Sequence, residues 1–91
     1  RDGLKEQQER EYRRKTCFLL HEAAKSIRMG MLSIATAMVY FQRFFAEHSF
    51  KEHDRFTVAY TCIFLAGKVE ETPRRLKDVL VACWGIRHAL D

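Results

Sequence analysis

Four stretches of this 91-residue chain carry apolar residues at helical spacing. In the first, from Leu4 or Glu9 to residue 27, Cys17, Leu20, Ala24 and Ile27 form one stripe, and the charged residues before them extend it as an amphipathic lead-in. Gly30 suits the left-handed position that closes such a helix. The second covers residues 33–47. Ser33 suits its N-cap, and Ile34, Ala37, Met38, Phe41, Phe44 and Phe45 give it a wide apolar face; Phe50, Lys51 and Glu52 fall in the next connection. The third, residues 54–70, opens on Asp54, a good cap, and carries no charge on any face over residues 56–67. A helix apolar all round is normally buried among others. Thr57, Val58, Thr61 and Ile63 are β-branched and favour a strand, but the run far exceeds the usual strand of about four to eight residues. Ala59, Ala66 and Gly67 are small enough to let neighbouring helices approach.

The fourth helix is expected over residues 73–84, or on to 90 if Gly85 does not break it. Thr72 as cap and Pro73 at the first helical position make a strong start signal. Leu76, Val79, Leu80 and Cys83 come next at i, i+3, i+4 and i+7. The pattern predicts one all-α domain over residues 1–91, with the hydrophobic third helix at its centre and consecutive helices as neighbours.

Composition fits that picture. Apolar residues make up 47% and charged residues 31%, a soluble globular balance, and the 4 glycines and 1 proline argue against a turn-rich β fold. A chain of this size buries only about 60–65% of its unfolded surface, so its core is marginal. The net charge is +4, but the charges are mixed. Residues 1–15 hold six basic and four acidic side chains, with Glu6/Arg10, Glu9/Arg13 and Glu11/Lys15 each four apart. That is the spacing of a solvated helix face with supporting ion pairs rather than of a phosphate-binding surface. Cys17, Cys62 and Cys83 are odd in number, unpaired in spacing and set among apolar residues, as in the reduced core of an intracellular protein. No signal peptide opens the chain. The longest uncharged run, residues 29–42, includes Ser33, Thr36 and Gln42 and is too short and polar to span a bilayer.

Little in the chain points to catalysis. His21, His48, His53 and His88 lack metal-ligand spacing, the serines 26, 33 and 49 lack a nucleophile-elbow context, and no glycine-rich phosphate loop occurs. Cys17 and His21 lie four apart on one helix, but Cys17 falls on the apolar stripe with no orienting partner. No metal, cofactor or small-molecule ligand is expected. The informative feature is Glu70-Glu71, directly after Lys68. Acids at a helix C-terminus oppose the macrodipole. They are either a solvated helix end or groups held for a partner, and Lys68 is either a snorkelling lysine or a contact.

Residues 66–78, Ala-Gly-Lys-Val-Glu-Glu-Thr-Pro-Arg-Arg-Leu-Lys-Asp, resemble the junction of the third and fourth helices of the cyclin box. The Thr72-Pro73-Arg74-Arg75-Leu76 form is similar to the transcriptional cyclins K, T, L and C. The run Ala37-Met38-Val39-Tyr40-Phe41-Gln42-Arg43-Phe44-Phe45, then His48-Ser49-Phe50, resembles cyclins K and T, with Gln42 where a His is usual, and Tyr12-Arg13-Arg14 resembles the first-helix start of cyclin K. The resemblance covers nearly the whole chain.

The resemblance implies a first cyclin box that binds and activates a cyclin-dependent kinase of the RNA polymerase II elongation type, in the nucleus, with no catalytic residue of its own. It implies that Lys68 and Glu71 contact the kinase around its αC helix, and that Phe64, Val69, Glu70, Pro73 and Leu76 belong to the same surface. A cyclin box has five helices, and the fifth carries a Glu that supports the lysine. Four are visible over residues 1–91, so part of the third helix is expected to lie uncovered, with a contiguous exposed apolar patch and marginal stability. The alternative is a nucleic-acid or transcription-factor-binding module of the same fold, as in the general transcription factor B group. Its basic stripe would have to come from Arg74, Arg75, Lys77 and Arg87, which Asp78 interrupts. Direct nucleic-acid binding and membrane association are not expected.

Overall fold

The computed structural model describes residues 2–48 and 53–90, with side chains over residues 6–48 and 53–89. Ser49, Phe50, Lys51 and Glu52, and the side chain of Leu4, lie outside the described residues. Four helices account for the described architecture: α1 (Asp2–Ser26), α2 (Met31–Glu47), α3 (Arg55–Val69) and α4 (Leu76–Leu90). α3 touches each of the other three, as its uncharged sequence predicts, and α1 does the same.

The core collects one face of each helix. α1 contributes Leu19, Leu20, Ala23 and Ala24, all fully buried, with Thr16, whose hydroxyl donates to the Tyr12 carbonyl at 2.7 Å. Cys17 and Ile27 of the expected stripe sit at its edge, half-buried. α2 buries Ile34, Ala37, Phe41 and Phe45, the last two packed edge to face at 5.0 Å. α3 buries Ala59, Cys62, Ile63, Ala66 and Gly67. Fully burying a Phe41- or Leu19-sized side chain contributes about 1.5–3 kcal/mol, so the core rests on few large groups. Burial pushes the thiols of Cys62 and Cys83 up to about 11 and about 12, consistent with inert core residues.

Three helix boundaries differ from the sequence expectation. Arg28 (φ 62°), not Gly30, adopts the left-handed conformation after α1. Gly30 instead stands as the extended N-cap of α2, and Ser33 lies inside that helix with its hydroxyl turned inward, 2.9 Å from the Thr72 hydroxyl. Thr72 is therefore not a helix cap. Residues 72–75 run outside any helix, and α4 starts at Leu76. Asp54 caps α3 as predicted, its carboxylate accepting from the Phe56 amide at 3.3 Å and the Thr57 hydroxyl at 2.7 Å. Gly85 does not break α4.

On α1, Glu11 pairs with Arg14 rather than Lys15. The Arg14 hydrogen bond holds the Glu11 carboxyl below its usual range, with Lys15 adding a smaller attraction. Arg13 reaches across to α2, donating to Gln42 Oε1 at 2.7 Å and to the Phe45 carbonyl at 3.3 Å.

Candidate functional site: the junction of α3 and α4

The chain leaves α3 through a tight closure. The Glu70 amide donates to the Ala66 carbonyl at 3.0 Å, Glu71 to Lys68 at 3.2 Å and Thr72 to Gly67 at 2.8 Å. Glu71 takes the left-handed position (φ 59°), which glycine occupies at much lower cost. The chain then folds back over α3. A Cβ on Gly67 would lie 3.1 Å from the Thr72 carbonyl oxygen, a tight contact that the returning chain would have to relieve by shifting a few tenths of an ångström.

Long-range hydrogen bonds fix the junction on both sides. From α2, the Thr36 hydroxyl donates to Glu70 Oε2 at 3.0 Å, and Ser33 meets Thr72. From the loop itself, Arg74 reaches α1. Its Nε donates to the Ile27 carbonyl and its Nη2 to the Arg28 carbonyl, both at 2.8 Å, while Nη1 donates to the Thr72 carbonyl at 3.0 Å. This guanidinium gives the C-terminal end of α1 a cation and satisfies the carbonyls of the two turn residues that follow the helix.

The seven residues singled out in the sequence lie along this junction. Lys68 stands on the exposed last turn of α3, its ammonium 4.7 Å over the half-buried Phe64 ring. It forms no ion pair with an acid among the described residues. Val69 is 57% exposed and Leu76 46%, high values for apolar side chains. Pro73 is exposed, Glu70 is half-buried and bonded to Thr36, and Glu71 is exposed. Among the described residues the junction presents the Lys68 ammonium and the Glu71 carboxylate without ion-pair partners, amid exposed apolar side chains, on a hydrogen-bonded turn.

Exposed apolar side chains lie on α3, where Leu65 is 47% and Val69 57% exposed, and also on α4, where the sequence expectation did not place them. Val79 and Cys83 face the core, whereas Leu76, Leu80 and Trp84, four apart in turn, are 46%, 38% and 62% exposed. Leu80, Val81 and Trp84 line a groove of about 420 Å³ against Phe56, Thr57 and Tyr60 of α3. Of the four cations considered for a basic stripe, Lys77 is exposed and the other three have contacts within the domain. Arg74 is committed to α1, Arg75 pairs with Asp78 at 3.2 Å, and Arg87 lies 4.0 Å over the Phe56 ring.

Sequence reasoning passed over Ser33, Thr36 and Arg74 as parts of this site. The Arg74 contact to Ile27 spans 47 residues, and no local pattern signals it.

Residues 1–90 match the family model described as the cyclin N-terminal domain. The chain belongs to the cyclin family. It is 43% identical to cyclin-T1-3 of Oryza sativa subsp. japonica over 91 residues, covering all of this chain and 19% of that protein. It is 43% identical to cyclin-T of Drosophila melanogaster over 82 residues, 90% of this chain and 8% of that protein, and 38% identical to cyclin-K of Homo sapiens over 79 residues, 87% and 14%. The cyclin domain described here thus spans less than a fifth of the length of each of these relatives. The all-α architecture agrees with the cyclin-box resemblance of residues 66–78.

Proposed function

We propose that this domain is part of a regulatory subunit that binds and activates a cyclin-dependent protein kinase through the α3–α4 junction. The observation that carries the reading is the pair Lys68 and Glu71. Both are exposed and held by a closed turn, and the acid stands against the local electrostatic preference of a helix end. In the proposed complex Lys68 donates to backbone carbonyls beside the kinase αC helix, and Glu71 accepts from a basic group of the kinase. Phe64, Val69, Pro73 and Leu76 supply apolar contact, and Glu70, bonded to Thr36, fixes the turn.

An inactive kinase holds its αC helix rotated outward, with its own Lys–Glu ion pair unmade. A partner that binds only the inward state shifts the population toward it without contributing a catalytic group. The finer assignment, a nuclear kinase acting on the RNA polymerase II C-terminal repeat, is supported by the likeness to cyclins named T and K.

The test is a Lys68→Glu/Glu71→Lys double variant in binding and activity assays against a panel of cyclin-dependent kinases. Affinity for the cognate kinase should fall at least tenfold with the helical circular-dichroism signal retained. Unchanged binding would remove this surface from the interface.

A further inference from the structure

We propose that Thr72 is a phosphoacceptor for a proline-directed protein kinase, and that its phosphate unfastens the α3–α4 junction. The consequence for kinase binding rests on the proposed regulatory function; the modification itself does not.

Thr72-Pro73-Arg74-Arg75 is the one place in the chain where a hydroxyl residue precedes proline, because Pro73 is the only proline. The segment also has a basic residue three positions after the threonine. Proline-directed kinases select the residue after the acceptor for its missing N–H, a property of proline alone, and a basic side chain two places further on meets acidic groups of the enzyme. Such enzymes take their substrates as extended chain. Residues 72–75 are the non-helical link between α3 and α4, and Thr72, Pro73 and Arg75 are exposed.

The transfer is an ordinary phosphoryl transfer. Thr72 Oγ1 forms a bond to the γ-phosphorus of a magnesium-bound nucleoside triphosphate. The bond from that phosphorus to the bridging oxygen breaks, the nucleoside diphosphate leaves with the electron pair, and the hydroxyl proton passes to the modifying kinase.

The neighbours of Thr72 determine where its phosphate can go. Thr72 Oγ1 lies 2.9 Å from the hydroxyl of Ser33, which is 3% exposed, so there is no room for a phosphate on that side. The modified side chain must swing outward and abandon α2. A phosphate carries about −1.5 to −2 charges at neutral pH. It would stand next to Glu70 and Glu71, which repel it, and beside Arg74, whose Nη1 already lies 3.0 Å from the Thr72 carbonyl. Charge-assisted bonds to phosphate are strong, so the phosphate competes for Arg74 against the α1 carbonyls of Ile27 and Arg28. One modification therefore loosens the junction from both α1 and α2 and disturbs the turn that holds Lys68 and Glu71.

The experiment treats the intact protein with a purified proline-directed kinase and magnesium ATP, maps the product by mass spectrometry, and measures amide exchange and kinase affinity. A single phosphate on Thr72, absent from Thr72→Val, is expected. So is faster exchange of the amides at residues 67–75 and 27–29, with at least a tenfold loss of affinity for the bound cyclin-dependent kinase. Ser33→Ala, which frees the Thr72 hydroxyl, should speed modification severalfold. No phosphate on Thr72 under conditions that modify a peptide of residues 66–80 would overturn the proposal. A phosphorylated protein with unchanged exchange and unchanged affinity would overturn its second half. Should the unmodified protein bind no cyclin-dependent kinase, the proposed regulatory function falls, and the exchange data alone decide: faster exchange upholds the unfastening and unchanged exchange refutes it.

Discussion

α1 and α3 end in the same backbone closure, yet their ends are fastened by opposite means. At the end of α1, Arg28 turns left-handed (φ 62°), its amide donating to the Lys25 carbonyl and the Met29 amide to Ala24. At the end of α3, Glu71 does so (φ 59°), with Lys68 and Gly67 as acceptors. Both ends place a lysine in the last turn, where it suits the macrodipole. The first end is then completed by the Arg74 guanidinium on its carbonyls, in accord with the macrodipole. The second carries Glu70 and Glu71 against it and is held by hydroxyls from α2. An end built for stability and an end that departs from the local optimum lie within one small fold, and the departure falls on the surface proposed to meet the kinase.

The contrast between the two ends should suffer most from a change at Arg74. Arg74→Met should cost about 2–3 kcal/mol in urea unfolding, because two carbonyls at the end of α1 lose charged donors. Arg74→Lys should recover only part, since one ammonium lacks the guanidinium fork. A loss under about 0.5 kcal/mol would mean that water replaces the guanidinium freely.

Next in size is the position where the two closures differ in side chain. The first uses fully buried Ala24 and the second Gly67, over which the chain returns. Gly67→Ala gains helix propensity but forces the Thr72 carbonyl to shift, and should destabilise by about 1–2 kcal/mol. At Gly85, where nothing lies within 4 Å of a built Cβ, the same change should stabilise by about 0.5–1 kcal/mol. Equal signs in thermal unfolding would refute the close-approach argument.

The left-handed residues separate the two ends by function. Arg28→Gly and Glu71→Gly each relieve a strained backbone, and each should stabilise by up to about 1 kcal/mol. Only Glu71→Gly should also lose affinity for the kinase, giving a more stable but less competent protein. If both variants bind equally well, Glu71 is a helix end and nothing more. The smallest effect is expected at Thr36→Val, about 0.5–1 kcal/mol for one hydroxyl-to-carboxylate bond, seen as faster amide exchange at Glu70 and Glu71.

Much of this architecture is legible in the sequence, and the parts that are not share a cause. The four helices follow from the spacing of apolar residues, and the Asp54 cap from a carboxylate one residue before α3. Glu70 and Glu71 draw notice because acids at a helix C-terminus stand against local preference, and Lys68 through its place just before them. Thr72-Pro73 misleads because Pro73 suits a first helical turn equally well as an extended link, and the choice is made by Ser33, Gly67 and Arg74, which are remote or act through backbone. Gly30 misleads for a similar reason: Arg28 takes the strained position, and Arg74 then anchors its carbonyl. On α4, the spacing of Leu76, Val79, Leu80 and Cys83 correctly gives a helix but not its orientation, since Val79 and Cys83 turn inward and Leu76 and Leu80 do not.

The Arg74 contact also has a kinetic meaning. It joins points 47 residues apart, so it closes only after α2 and α3 have brought the junction back to the end of α1. Closing so long a loop is entropically costly and belongs to the late stage of folding. Arg74→Met should therefore leave the refolding rate nearly unchanged and place almost all of its effect on unfolding. On that account the guanidinium acts as a bolt that governs how long the assembled domain stays closed rather than how quickly it forms.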